Sequence, residues 1–186
     1  MSGAEQSDEN RWTFGVRWVE GQIDRAKLRT TLTYRVVPRL SIGIEVNPLA
    51  GKVSPLANWL AVQETAKRPA LIFGTSSDRI GTPSGQSFYG TLSKNLRRET
   101  GLPIAPYVGA AFGTYEDKVR PIGGVNIGFT EALNALIIFD GVEVHPTISW
   151  STGRHVFSFL LIDAEHPGLS YSISFNGPER WFARDE

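Results

Sequence analysis

The chain contains no cysteine, which excludes disulfides, thiolate metal ligands and cysteine nucleophiles together. It has no surplus of charge either. Its 19 Lys and Arg balance 19 Asp and Glu, so nothing suggests an electrostatic grip on nucleic acid or on an anionic membrane surface. Long apolar runs are missing: the longest, residues 135–139, falls far short of the roughly 18–20 residues of a membrane helix. The three histidines, His145, His155 and His166, show no His-x-His or His-Glu-x-x-His spacing, so no metal centre is expected. Residues 74–79 lack the Gly-Lys-Ser/Thr ending of a phosphate loop. Ser149 and Ser158 lie near His145 and His155 in sequence, but serine is common on the same polar faces. The expectation is a chain that is not an enzyme, with no catalytic residue and no cofactor. The first ten residues are polar and lack the basic start and apolar centre of a secretory signal, so this numbering carries no export signal.

Alternation dominates what is there. Trp12, Phe14, Val16 and Trp18 share one parity, against Thr13, Gly15 and Arg17. Leu28, Leu32, Tyr34 and Val36 oppose Arg29, Thr31, Thr33 and Arg35; Leu40, Ile42, Ile44 and Val46 oppose Ser41, Gly43, Glu45 and Asn47. Successive strand side chains point to opposite faces, so each segment has one apolar and one small polar face. To keep both apolar sets on one face, the hairpin of the last two segments sets Thr31 opposite Glu45 and Val36 opposite Leu40. Residues 37–39 then form the turn, and Arg29 comes within reach of Glu45 on the polar face.

Residues 54–67 fit both a helical stripe and a strand, and the hairpin logic favours a strand over 58–65. Residues 75–86 have no apolar period and read as a long loop. Thr130, Glu131, Ala132 and Leu133 resemble a capping box and suggest one helical turn. Strands follow through the rest of the chain, the last of them residues 168–175, where Leu169, Tyr171, Ile173 and Phe175 alternate with glycine and serine. The count is about twelve, with connections that alternate long and short. Inside strands the charges are chiefly Arg17, Arg29, Arg35, Glu45 and Lys94.

The fold expected is all-β: an antiparallel up-and-down meander barrel of about twelve strands, of transmembrane type. A polar tail over 1–10 precedes a barrel over 11–175, and a second tail spans 176–186. Even strand number, near-ten-residue segments and a polar face of Thr, Ser, Gly and Asn agree with apolar-out, polar-in packing. Trp12, Trp18, Trp59, Trp150, Tyr34, Phe112, Phe129 and Phe175 sit near strand ends, where interfacial girdles form. Over residues 11–175 this pattern resembles the bacterial porin-like outer-membrane barrels. The closing stretch, from Phe139, Asp140 and Gly141 to the strand ending at Phe175, is also weakly similar to barrels associated with exopolysaccharide export.

The resemblance implies a bacterial outer-membrane location and contact with membrane lipid. It also implies a small-solute pore or structural barrel, with no cofactor. In such a barrel Arg17, Arg29, Arg35 and Glu45 would face the lumen. Residues Thr75, Ser76, Ser77, Asp78 and Arg79 are candidates for a loop that folds in and constricts it, the alternative being a solvated surface loop, and Leu169, Tyr171, Ile173 and Phe175 would mark the closing strand. The alternative is a soluble sandwich or lipocalin-like barrel, its large apolar residues turned inward around an apolar ligand.

Overall fold

The structure, a computed structural model, describes residues 10–176. The tails expected at 1–10 and 176–186 lie, apart from Asn10 and Asn176, outside the described residues. In chain order the elements are β1 (Trp12–Val19), the short helix α1 (Asp24–Lys27), β2 (Leu28–Val37), β3 (Leu40–Asn47), a 3-10 turn at Pro48–Ala50 and β4 (Lys52–Val62). β5 (Ala70–Ser77), β6 (Gln86–Ser93), α2 (Arg97–Thr100), β7 (Ile104–Gly113) and β8 (Lys118–Gly128) follow. β9 (Leu133–Phe139), β10 (Val144–Thr152), β11 (His155–Ile162) and β12 (His166–Phe175) complete the set. Each strand pairs antiparallel with its sequence neighbours, and β1 closes on β12 from Trp12 opposite Phe175 to Val19 opposite Gly168. The protein is a closed twelve-strand antiparallel meander barrel. Closure removes every sheet edge.

The strand alternation resolves into an inner and an outer face. Glu45 and Asn47 are each 1% exposed, whereas Ile42 and Ile44 on the same strand are 46% exposed. Carried through the registers, this parity puts most of the Thr, Ser, Gly and Asn inside and most of the large apolar residues outside. The same holds around the other half of the ring. Buried apolar packing is accordingly small: Val19, Leu160 and Ile162 form a cluster inside one mouth, with Ile80 packed against it.

Several local expectations need correction. The β2–β3 body has the expected register, with Thr31 opposite Glu45, but a bulge between Arg35 and Val37 moves Val37 opposite Leu40 and leaves a two-residue turn of Pro38 and Arg39. Neither turn residue has positive φ, so this is not one of the primed turns that match strand twist; a bulge supplies the extra twist instead. Residues 54–62 are strand, and the segment from 63 to 69 is the connection. Thr130 does accept hydrogen bonds from the N–H groups of Ala132 and Leu133, 3.2 and 2.9 Å, which is half of a capping box, but the chain enters β9 without a helical turn. Lys94 follows β6 rather than lying in it. Nor do the connections alternate long and short. Those of eight residues or more (20–27, 78–85 and 94–103) fall at both ends of the barrel.

Candidate functional site: the lumen and its covered mouth

Connections 20–27, 48–51, 78–85, 114–117, 140–143 and 163–165 share one mouth of the barrel, and both termini share the other. Residues 78–85 cross this mouth. They leave from β5 and β6, yet Ile80 packs against Val19, Leu160 and Ile162 on β1 and β11, on the far side of the ring. The loop is closed at its base by the Asp78 N–H donating to Gly85 O at 3.0 Å. The Asp78 carboxylate accepts from the N–H groups of Arg79 (2.8 Å) and Tyr115 (3.2 Å). It can sit there because Gly113 has no side chain: a Cβ would lie 2.3–2.6 Å from the Asp78 carboxylate atoms.

Two arginines fasten the crossing. Buried Arg25, on α1, donates to the carbonyl oxygens of Asp78, Arg79 and Thr82 and to the Thr82 hydroxyl, which in turn donates to Arg79 O at 2.6 Å. Arg79 reaches Asp140 (Nε to Oδ2, 3.2 Å) and Glu116 (Nη1 to Oε1, 3.4 Å). Glu116 also pairs with Arg120. His145, buried, accepts the Asp163 N–H at Nδ1 (3.1 Å) and holds its Nε2 3.1 Å from Asp140 Oδ2. Burial works against charge on Asp140, but His145, the N–H groups of Glu143 and Val142, and Arg79 outweigh it and bring the carboxyl down to about 2. Glu116 is likewise held below the usual carboxylate range, first by its hydrogen bond to Arg120.

Beneath the loop lies a cavity of about 210 Å³. Arg17 and Arg29 stand directly opposite each other on β1 and β2, both pointing inward. Arg29 Nη2 is 2.8 Å from Glu45 Oε2, and Asn47 Nδ2 donates to Glu45 Oε1 at 2.9 Å. Arg35 shares the inner parity near the other mouth, where it donates to Asn10 O at 2.7 Å. Across the ring, Tyr89 and Tyr107 lie over Gly74 and Gly124, whose absent side chains leave room for the rings. The tyrosines therefore cover the wall, and the Tyr89 hydroxyl donates to Asn58 Oδ1 at 2.5 Å.

The structure brings Arg17, Arg29 and Glu45 together and sets Arg35 apart from them. Thr75, Ser76 and Ser77, expected in a constricting loop, belong to β5, because they continue its ladder opposite Phe88, Ser87 and Gln86; the loop begins at Asp78. Leu169, Tyr171, Ile173 and Phe175 lie on β12 facing outward, and the Tyr171 hydroxyl is 2.8 Å from His155 Nδ1. Ser149 and Ser158 pair with each other at 2.8 Å on the inner face, away from outward-facing His155. Arg25, Lys118 and Arg120 are lining groups that the sequence reading passed over. Lys118 and Arg120 carry a signal: extending the parity of Gly124 backwards through Ile122 reaches both. Pro121, between Arg120 and Ile122, interrupts that parity only as an apparent strand break. No protein-family model matches this chain, and no curated protein is significantly similar to it.

Proposed function

We propose that this protein is an integral barrel of the bacterial outer membrane, a porin-like pore for small solutes narrowed at one mouth by residues 78–85. One observation carries the reading. Every charged residue within a strand (Arg17, Arg29, Arg35, Glu45, Lys52, Lys118 and Arg120) has inward parity, and the outer parity of all twelve strands carries none. A Lys or Arg facing lipid at mid-depth costs about 2–4 kcal/mol, whereas one facing water costs nothing. A charge-free outer face is therefore what selection against lipid-facing charge produces.

The outer face also exposes large apolar residues all round, among them Phe14, Val108, Val119, Ile148 and Leu169. Soluble monomers rarely expose apolar patches beyond a few hundred Å². Aromatics gather towards both ends of the strands. Trp12 and Tyr34 (centroids 4.8 Å apart), Trp59 and Phe73 (6.0 Å), and Trp150 and Phe157 (5.8 Å) lie towards the terminal mouth. Trp18, Phe88, Phe112 and Phe159 lie towards the other. This is the girdle arrangement of a barrel seated between two headgroup layers. A lipocalin-like barrel needs the reverse parity.

The test is to express the chain behind an export signal and fractionate the cells. Recovery in the outer membrane is expected, with a gel mobility that shifts on heating, and with small channels in planar bilayers whose anion preference falls in the double variant Arg29→Glu, Arg35→Glu. A soluble monomer obtained without detergent contradicts the location; an unaltered ion preference removes these arginines from the conduction path.

A further inference from the structure

The charges around the cavity are unevenly answered. Arg29 has Glu45, and Arg79 and Arg120 have Glu116. Asp140 serves Arg79 and His145, and Asp78 is occupied by backbone N–H groups. Arg25 spends its guanidinium on carbonyl and hydroxyl oxygens of the loop. Arg17 has nothing. Among the described residues it makes no hydrogen bond and no ion pair, and its Nε is enclosed without a partner. A half-buried guanidinium with no ion pair of its own is left short of acceptors, and its natural complement is a planar oxyanion that accepts two parallel N–H bonds.

The opposite wall sets the rest of the ligand. β7 lies across the ring from β1, and its neighbourhood contributes Ala111, Ile122, Ile138 and the ring of Tyr107 to the same cavity. One wall thus offers a guanidinium with no ion pair and the other an apolar patch, with Lys118 and Arg120 of β8 also lining the cavity. The room, about 210 Å³, corresponds to roughly seven water volumes.

We propose that this cavity is a binding site for a small organic carboxylate, its oxygens on Arg17 and its apolar body against Ile122 and Ile138. The proposal deepens the pore reading by naming a solute class, but it rests on the barrel interior and not on the membrane location. A phosphate would satisfy the arginine and leave the isoleucines uncovered, so carboxylate ranks first.

The experiment is calorimetric titration of the full chain, refolded in detergent, with benzoate as probe and with benzamide and inorganic phosphate as comparisons. Benzoate should saturate one site per barrel, benzamide should not, and Arg17→Gln should weaken benzoate at least tenfold while heat-shifted gel mobility stays as in the parent. Should that variant not fold, the parent protein still decides: phenylglyoxal modification of Arg17, read by mass spectrometry, should be slowed by benzoate. Absence of saturable binding, equal binding in Arg17→Gln, unprotected Arg17, or phosphate binding more tightly than benzoate each overturns the proposal. Failure here in a chain that fractionates to the outer membrane leaves the pore reading standing; binding by a chain that proves soluble removes the membrane location and keeps the site.

Discussion

At the scale of single residues, the latch over the mouth has a defined pH response. Asp140 titrates at about 2 in the folded protein, against about 3.9 for an unperturbed aspartate. A depressed carboxylate stabilises the fold above its unfolded pKa, and that contribution, roughly 2 kcal/mol, fades as pH falls from about 4 to about 2. Protection factors of the amides of residues 78–85, that is, exchange rates corrected for the intrinsic pH dependence, should therefore fall towards the low end of that window, and Asp140→Asn should flatten the dependence. A pH-independent protection factor in the parent would place the latch elsewhere. The inner residues Arg17, Arg29, Arg35 and Glu45 were legible beforehand because strand parity alone assigns their face. Arg25 was not, since it sits in a connection whose backbone has no period, and its role depends on a loop 53 residues away or more in sequence. The partners of Arg79, at 116 and 140, were hidden for the same reason.

At the scale of elements, strands were readable and their junctions were not. The β2–β3 pairing followed from keeping two apolar sets on one face, but the bulge at Val36 follows from turn geometry, which alternation does not encode. Thr75 to Ser77 looked like loop because Thr and Ser serve both faces of a barrel strand and turns alike. What ends β5 is the closure of Asp78 on Gly85. That closure rests on Gly113, so Gly113→Ala should expel the Asp78 carboxylate and loosen the crossing, costing about 1–3 kcal/mol of stability by overpacking. Limited proteolysis should then cut within 78–85, and channel conductance should rise. Gly128→Ala, whose added Cβ meets nothing closer than 3.8 Å, should leave both unchanged. Equal proteolysis of the two variants would contradict the anchoring role of Gly113.

At the scale of the whole molecule, the barrel was nearly fully written in the sequence. Twelve apolar stripes of period two, an even strand number and connections short enough to force antiparallel neighbours leave one closed meander as the simplest arrangement. What the pattern left undetermined was the filling of one mouth, because it is made by long-range polar contacts between connections. The central claim is that the outer face meets lipid, and the tryptophans report on it directly. Trp12, Trp18, Trp59 and Trp150 have outward parity near strand ends, and Trp181→Phe removes the signal of the tryptophan outside the described residues. This variant should be reconstituted in bilayers whose acyl chains carry bromine at defined depths. Strong quenching is expected, greater for bromine near the headgroups than at the bilayer centre; fluorescence equal to that in unbrominated lipid would contradict a lipid-facing exterior.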